Sequence, residues 1–290
     1  MQALWHQLLS GLANGGIYAS IALALVMIYR STHHVNFAQG ELAMFSTYLA
    51  WAMIAAGVPY WAAFVLTLGA SFAAGVAIER IVVRPVENEP ILVVVIVFIG
   101  LLVIVNSMAG WLFGYTPRVF PSPFPDDAWF AGSYLSAHEV GMIAVTLAML
   151  AIVFAFFRFT PLGLAMRAVA EDPLSSRLVG IRVGWMLAIG WGLAAMLGAL
   201  AGMMTAPIVY LDPNMMAGIL LYGFAGALMG GIDNPWGAVA GGFIVGVLEN
   251  LAGAYVVGTE LKLSVALAVI IGVLVVKPSG LFGRRVVSRV

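Results

Sequence analysis

The chain has 290 residues, 13 Lys and Arg against 13 Asp and Glu, no cysteine, and a hydrophobic fraction of 63% with only 9% charged residues. A mean hydropathy of +1.05, with apolar runs recurring along the whole length, lies outside the range of soluble domains and defines a polytopic membrane protein. Zero formal charge removes any bulk attraction to nucleic acid, and the lack of cysteine removes disulfides, thiolate metal sites and cysteine nucleophiles.

Backbone amides in hydrocarbon must be satisfied within their own segment, and the polar alternation of a barrel strand is missing, so apolar runs of about 20 residues read as helices. The predicted fold is all-α, a transmembrane helical bundle of about nine spans at residues 9–29, 38–57, 60–83, 91–113, 137–157, 186–208, 215–232, 236–257 and 261–277. The opening MQALWHQLL carries no positive n-region and no small-residue cleavage site, so the first run is expected to stay as a membrane helix. Span 215–232 contains the glycine-rich FAGALMGG; if it is re-entrant, the count falls to eight.

Orientation follows the positive-inside rule. With the N-terminus outside and the C-terminus cytoplasmic, the inner segments hold Arg30, Arg80, Arg84, Arg158, Arg167, Arg177, Arg182, Lys277, Arg284, Arg285 and Arg289, leaving Arg118 and Lys262 outside. Trp5, Trp61, Trp111, Trp185 and Trp236 fall at span ends, where indole rings settle at headgroup level.

Between spans five and six, residues 166–183 read MRAVAEDPLSSRLVGIRV, a polar island predicted on the inner side. Thr160-Pro161 and Asp172-Pro173 each place an N-cap before a proline at the first helical position, which predicts two short helices with a corner between them. Gly180 is suited to ending the second helix, and Leu174, Leu178 and Ile181 recur at helical spacing on one side. A loop needing only charge for topology would not carry such definite folding instructions; a rigid projection with apolar knobs suits docking into a partner.

The second polar concentration is RSTHHVNFAQGELAM. Adjacent His33 and His34 point about 100° apart on a helix and cannot share one metal as a four-apart pair can, so no metal site is expected. Asn36, Gln39 and Glu41 open the second span and have two readings: caps of its first turn, or groups lining or gating a translocation path, since ionisable groups at membrane depth usually face bundle interiors or aqueous cavities. Glu249 and Asn250 lie within an otherwise apolar span; Glu249 must be paired, hydrated or protonated there, either as a structural contact or on the border of the path. Gly237, Gly241, Gly242 and Gly246 on that span, and Gly11, Gly15 and Gly16 on the first, are spaced for close helix approach. Asp212-Pro213 and Asn234-Pro235 repeat the cap-then-proline device before spans seven and eight. The proline-rich outer segment Thr116 to Ser136, with Asp126 and Asp127, is long enough to meet a soluble partner.

TPLGLAMRAVAEDPLSSRLVGI resembles the cytoplasmic coupling loop of ABC importer permeases of the branched-chain amino acid type. NGGIYASIALALVMIY, HHVNFAQGELAMFSTYLA, RPVENEPILVVVIVFIGLLVIVNSM, GALMGGIDNPWGAVAGGFIVGVLENL and KPSGLFGR resemble further segments of that family in the same order, and the match is nearest to the H-type permease of its pair. One stretch, GGIDNPWGA, departs from the more frequent form with a Ser-Ile pair before the proline.

The resemblance implies a single permease domain over residues 1–290 with a coupling loop at 158–185, in a bacterial cytoplasmic (inner) membrane. Implied partners are a second permease subunit forming a heterodimer, two cytoplasmic ABC ATPase subunits that use ATP and Mg, and a periplasmic or extracellular substrate-binding protein. It assigns Arg167, Glu171, Asp172, Arg177 and Gly180 to contact with the ATPases, and favours a path or gate role for Asn36, Gln39 and Glu41. No cofactor is expected on this chain, which has no GxxxxGK[ST] phosphate loop. The cargo implied is a branched-chain amino acid, with urea or short amides as the alternative within the same architecture. An ion-coupled secondary carrier would show inverted repeats and midplane carboxylates, for which Glu249 is the one good candidate. A membrane enzyme would need clustered ligands or a nucleophile with its base, and the sequence has neither HExxH nor GxSxG.

Overall fold

The computed structural model describes residues 2–32, 34–124 and 136–283. Among these, regular structure is helical throughout, and an isolated antiparallel bridge between Arg118 and Leu211 is the one strand-like pairing. The helices are α1 (Gln2–Thr32), α2 (Gln39–Ala55), α3 (Tyr60–Ile78), α4 (Ile91–Phe113), α5 (Ala137–Phe159), α6 (Pro161–Glu171), α7 (Pro173–Leu178), α8 (Val183–Val209), α9 (Ala217–Gly230), α10 (Pro235–Ala252) and α11 (Lys262–Val276). Among the described residues, six continuous helical stretches are long and apolar enough to cross a membrane: Ala3–Arg30, Tyr60–Val86, Ile91–Phe113, Ala137–Phe159, Val183–Val209 and Pro235–Val257. The 17-residue α2 and the shorter apolar α9 and α11 occupy the other three predicted positions. His33, Asp126, Asp127, Arg284, Arg285 and Arg289 lie outside the described residues.

Helix ends follow local chemistry. Thr160 caps α6 by accepting from the Gly163 N–H at 3.0 Å, and the Asn234 side chain caps α10 by accepting from Trp236 and Gly237, both at 3.2 Å. Prolines at the first helical position cost nothing there because that N–H has no partner within the helix. Asp212-Pro213 behaves differently from its sequence reading. Asp212 Oδ1 accepts from the Asn214 N–H at 2.7 Å and closes a turn, and α9 begins only at Ala217. Similarly, α7 stops at Leu178, so Ile181 lies past its end and the predicted apolar stripe shortens to Leu174 and Leu178.

The chain divides into two compact units. One comprises Met27–Pro123 and Val145–Met216, with α8 packed against α2 and α3. Trp191, Leu197, Leu200 and Met203 of α8 are fully buried there. A Cβ on Gly75 of α3 would come within 2.5 Å of the Trp191 carbonyl oxygen, so only glycine allows that approach. In lipid, such close packing, and not expulsion of water, drives helices together.

The other unit comprises Met1–Val26, Phe124–Ala144 and Ala217–Val290. Here α10 lies against the first part of α1 so closely that a Cβ on Gly246 would sit 2.4 Å from the Gly15 Cα. Ala22, Val26, Ala227 and Ala238 form a buried cluster with Ile232 packed on it. Small residues on α1 and α10 thus play the packing role their spacing predicts, and Gly226 of α9 joins them against Gly242.

Candidate functional site

The polar island folds as the caps dictate. Gly163, Met166 and Val169 form the buried face of α6, which packs on α8, while Arg167 points outward. Asp172 caps α7 by accepting from the Leu174 N–H at 2.9 Å and the Ser175 N–H at 3.1 Å, and the Ser175 hydroxyl also donates to it. Those bonds, the Ser175 hydroxyl first, hold the Asp172 carboxyl below its ordinary range. Gly180 has φ +87, a left-handed conformation open to glycine at little cost, and it turns the chain toward α8. Glu171 lies 4.0 Å from Arg30 at the end of α1. Leu174, Leu178 and Val179 are 69%, 82% and 76% exposed, and Arg177 is exposed beside them. The result is a rigid corner presenting apolar and basic side chains outward.

A second polar site forms where α2 begins. Asn36, Gln39 and Glu41 are all buried. Asn36 Oδ1 accepts from the Ala38 N–H at 3.0 Å, so Asn36 closes the turn into the helix. Gln39 Nε2 donates to the Ala194 carbonyl at 2.9 Å, fastening the start of α2 near the middle of α8. Glu41 caps nothing: no side-chain cap bond is made to α2, and the Glu41 carboxylate turns to α4, accepting from Asn106 Nδ2 at 3.1 Å. Asn106 Nδ2 also reaches the Pro213 carbonyl at 2.9 Å and Asn214 Oδ1 at 3.4 Å. Asn106 does not stand out in the sequence, and Asp212-Pro213 reads there as a helix start, not as part of a polar site. A lone Asn in an apolar run gives no periodic signal, and only the fold brings it and the 212–214 turn to Glu41.

Glu249 and Asn250 belong to a third cluster. Tyr18 donates to Glu249 Oε2 at 2.9 Å, and Lys262 Nζ lies 3.5 Å from Glu249 Oε1. Lys262 also donates to Asn250 Oδ1 at 3.1 Å, and Asn250 Nδ2 reaches the Gln7 backbone and side-chain oxygens, each at 2.8 Å. Tyr222 of α9 stacks on Tyr18 at 4.7 Å between ring centroids. The buried carboxylate is therefore charge-paired, and the network ties α1, α10 and α11 together. Among the described residues, no group of three or more His, Asp or Glu side chains is placed to hold a metal ion.

Six bilayer-length apolar helices, with polar side chains gathered at a few interior points, make the chain a multi-pass helical membrane protein of the permease class. It belongs to the family described as branched-chain amino acid transport system / permease component, whose model matches residues 7–274. The chain is 34% identical to the high-affinity branched-chain amino acid transport system permease protein LivH of Escherichia coli (strain K12), covering 98% of this chain and 97% of that one. It is 32% identical over the full length of both chains to the corresponding protein BraD of Pseudomonas aeruginosa. A probable LivH permease of Methanocaldococcus jannaschii is 25% identical over 91% of this chain and 87% of that one. Among solved structures, a chain of PsaBC from Streptococcus pneumoniae in complex with Fab superposes with a TM-score of 0.52 at 11% identity, covering 93% of this chain and 91% of that one. That likeness concerns the fold alone.

Proposed function

We propose that this chain is the membrane subunit of an ABC importer for branched-chain amino acids, with residues 1–290 forming one permease domain and residues 158–185 its coupling loop. The observation that carries the reading is the capped corner of α6 and α7, with Leu174, Leu178 and Val179 exposed on it, in a chain of this permease family. A stiff helical knob transmits displacement, which a flexible loop does not. Arg167, Glu171, Asp172, Arg177 and Gly180 shape or border the surface that two ATPase subunits would grip. ATP and Mg act on those subunits, which close together on ATP and switch the helix packing between inward-facing and outward-facing states. The permease partners are a second subunit of the same family and a periplasmic or extracellular binding protein, and the membrane is the bacterial cytoplasmic one.

The placement of Lys and Arg supports nine crossings with the N-terminus outside and the C-terminus inside, α2, α9 and α11 completing the six longer spans. Asn36, Gln39 and Glu41 border the path, Glu41 with its carboxylate and the other two by holding the start of α2. Glu249 and Asn250, fully engaged with Tyr18, Lys262 and Gln7, act on the path by fixing the helices beside it.

The test is uptake into vesicles containing the whole complex purified around this chain. ATP-dependent uptake of leucine, isoleucine and valine is expected. Uptake confined to urea or short amides would reassign the cargo, and activity of the chain alone under a proton or sodium gradient would overturn the importer. External labelling of a cysteine placed at Asp172 would remove the coupling role.

A further inference from the structure

Asn106 is over-subscribed. An amide NH2 group has two N–H bonds, yet three oxygens lie within reach of Asn106 Nδ2: Glu41 Oε2, the Pro213 carbonyl and Asn214 Oδ1. Acceptors outnumber donors at the meeting of α2, α4 and the turn after α8. One acceptor is a carboxylate only 8% exposed, whose donor among the described residues is this neutral amide, with no Lys, Arg or His in an ion pair with it. A buried carboxylate with a single neutral partner, in a surplus of oxygens, is matched by a cation with several N–H bonds.

The cluster is neither sealed nor uniformly polar. Asn214 is exposed at its rim, while Glu41 and Pro213 are buried. Leu42 and Val105, the sequence neighbours of Glu41 and Asn106, line a largely apolar cavity of about 170 Å³ with Phe45, Ile78, Met108 and the mutually bonded hydroxyls of Ser46 and Ser71. An acceptor set one residue along the chain from the lining of a largely apolar recess suits a small molecule that carries an ammonium group and an aliphatic side chain.

We infer that Glu41, the Pro213 carbonyl and Asn214 Oδ1 form a receptor for the α-ammonium group of the cargo, with Asn106 occupying the oxygens when cargo is absent. This rests on the importer reading and adds to it a specificity-determining contact. The ammonium replaces the Asn106 N–H groups and supplies three donors and a full positive charge. A cargo without a cationic group leaves the carboxylate unmatched, so the receptor selects amino acids over their neutral analogues within the membrane subunit itself.

The experiment uses the whole complex in vesicles, with saturating binding protein and L-leucine. E41Q keeps the size and the acceptor but removes the charge. It is expected to lower the maximal uptake rate about thirtyfold, the scale on which a desolvated charge loses its partner, and to lower the leucine moved per ATP hydrolysed. E41D, which keeps the charge one carbon back, is expected to recover part of the rate. Replacing external sodium by choline is expected to change nothing. Wild-type uptake by E41Q, or equal losses in E41Q and E41D with ATP hydrolysis intact, overturns the receptor while leaving the importer standing. So does a loss of wild-type uptake when sodium is removed, which would assign the oxygens to a metal cation. A wild-type complex that carries no amino acid at all overturns the importer reading, and the receptor with it.

Discussion

The Arg80 guanidinium lies 3.6 Å from the centroid of the Trp185 ring, joining the end of α3 to the first turn of α8. Arg80 sits on a π-helical turn, Glu79–Val83, beside the buried Glu79, whose carboxylate is 3.8 Å from Arg80 Nε. Arg84 lies directly against Gly184, where any Cβ would collide with its guanidinium. Both contacts fall just past the α6–α7 corner. The proposed coupling corner is thus tied by contact to α3 as well as α8.

If this junction transmits force, weakening it should spare ATP hydrolysis and reduce transport. A cation–π contact of this kind is worth about 1 kcal/mol, equivalent to about fivefold in a conformational equilibrium. W185A is expected to lower leucine uptake by about that factor in the reconstituted complex, with W185F retaining most of it. Equal uptake by W185A and the wild type would show that the junction bears no load.

Gly180 gives a second test of the proposed coupling role. Its φ of +87 strains any residue with a Cβ, at a cost of about 1–2 kcal/mol. G180V should therefore tilt the knob without touching the spans. The protein is expected to insert normally and hydrolyse ATP with its partners, yet move several-fold less leucine per ATP, measured by paired uptake and phosphate release. An unchanged ratio would count against the coupling assignment.

The α7 cap should be acid-resistant. The hydrogen bonds from Ser175 and Leu174 favour the charged form of Asp172, so its folded pKa lies below the ordinary 3.8. A depressed carboxyl contributes stability above the unfolded value and loses it as pH falls through the folded one. Amide exchange at Leu174 and Ser175 is expected to stay protected from pH 7 down to that ordinary value and to rise only below it. In D172N the protection should be weaker and flat over the same range. Protection lost in the wild type well above 3.8 would contradict the cap.

What the sequence disclosed, and what it hid, divides along a physical line. The capped corner was legible because Thr160-Pro161 and Asp172-Pro173 act over three residues, and the glycine contacts because spacing on one helix reveals a face. The positions of the apolar helices were legible from length and hydropathy. The partners of Glu41, Glu249 and Trp185 were not. Asn106 is 65 positions from Glu41 and Tyr18 is 231 from Glu249, and pairing over such separations leaves no local pattern. Lys262 read as a topology charge and Trp185 as a headgroup anchor. Those readings describe each residue's surroundings but not its contacts.

The close approach of α1 and α10 makes a stability prediction independent of transport. A Cβ on Gly246 would sit 2.4 Å from the Gly15 Cα, against backbone that cannot rotate away. G246V should force the helices apart and destabilise by about 1–3 kcal/mol, lowering the thermal midpoint of the detergent-solubilised protein. G272V, at a position where a Cβ would meet nothing within 4 Å, is the control and should melt close to the wild type.

The Glu249–Lys262 pair should show strong non-additivity. Glu249 is 5% exposed, so removing Lys262 leaves a buried carboxylate with only the neutral hydroxyls of Tyr18 and Tyr222 as donors, an imbalance that costs about 3–5 kcal/mol. K262M is accordingly expected to be the most damaging single change in this network. E249Q alone leaves the Lys262 ammonium bonded to Asn250 Oδ1, with more freedom to reach water, and should cost less. The double variant E249Q/K262M removes both charges, leaves Tyr18 and Tyr222 a neutral acceptor, and is expected to regain much of the stability lost in K262M. A chemical-denaturation cycle across the four proteins measures the coupling directly. Additive losses would mean that the two charges are solvated separately and that α10 and α11 are held by packing alone.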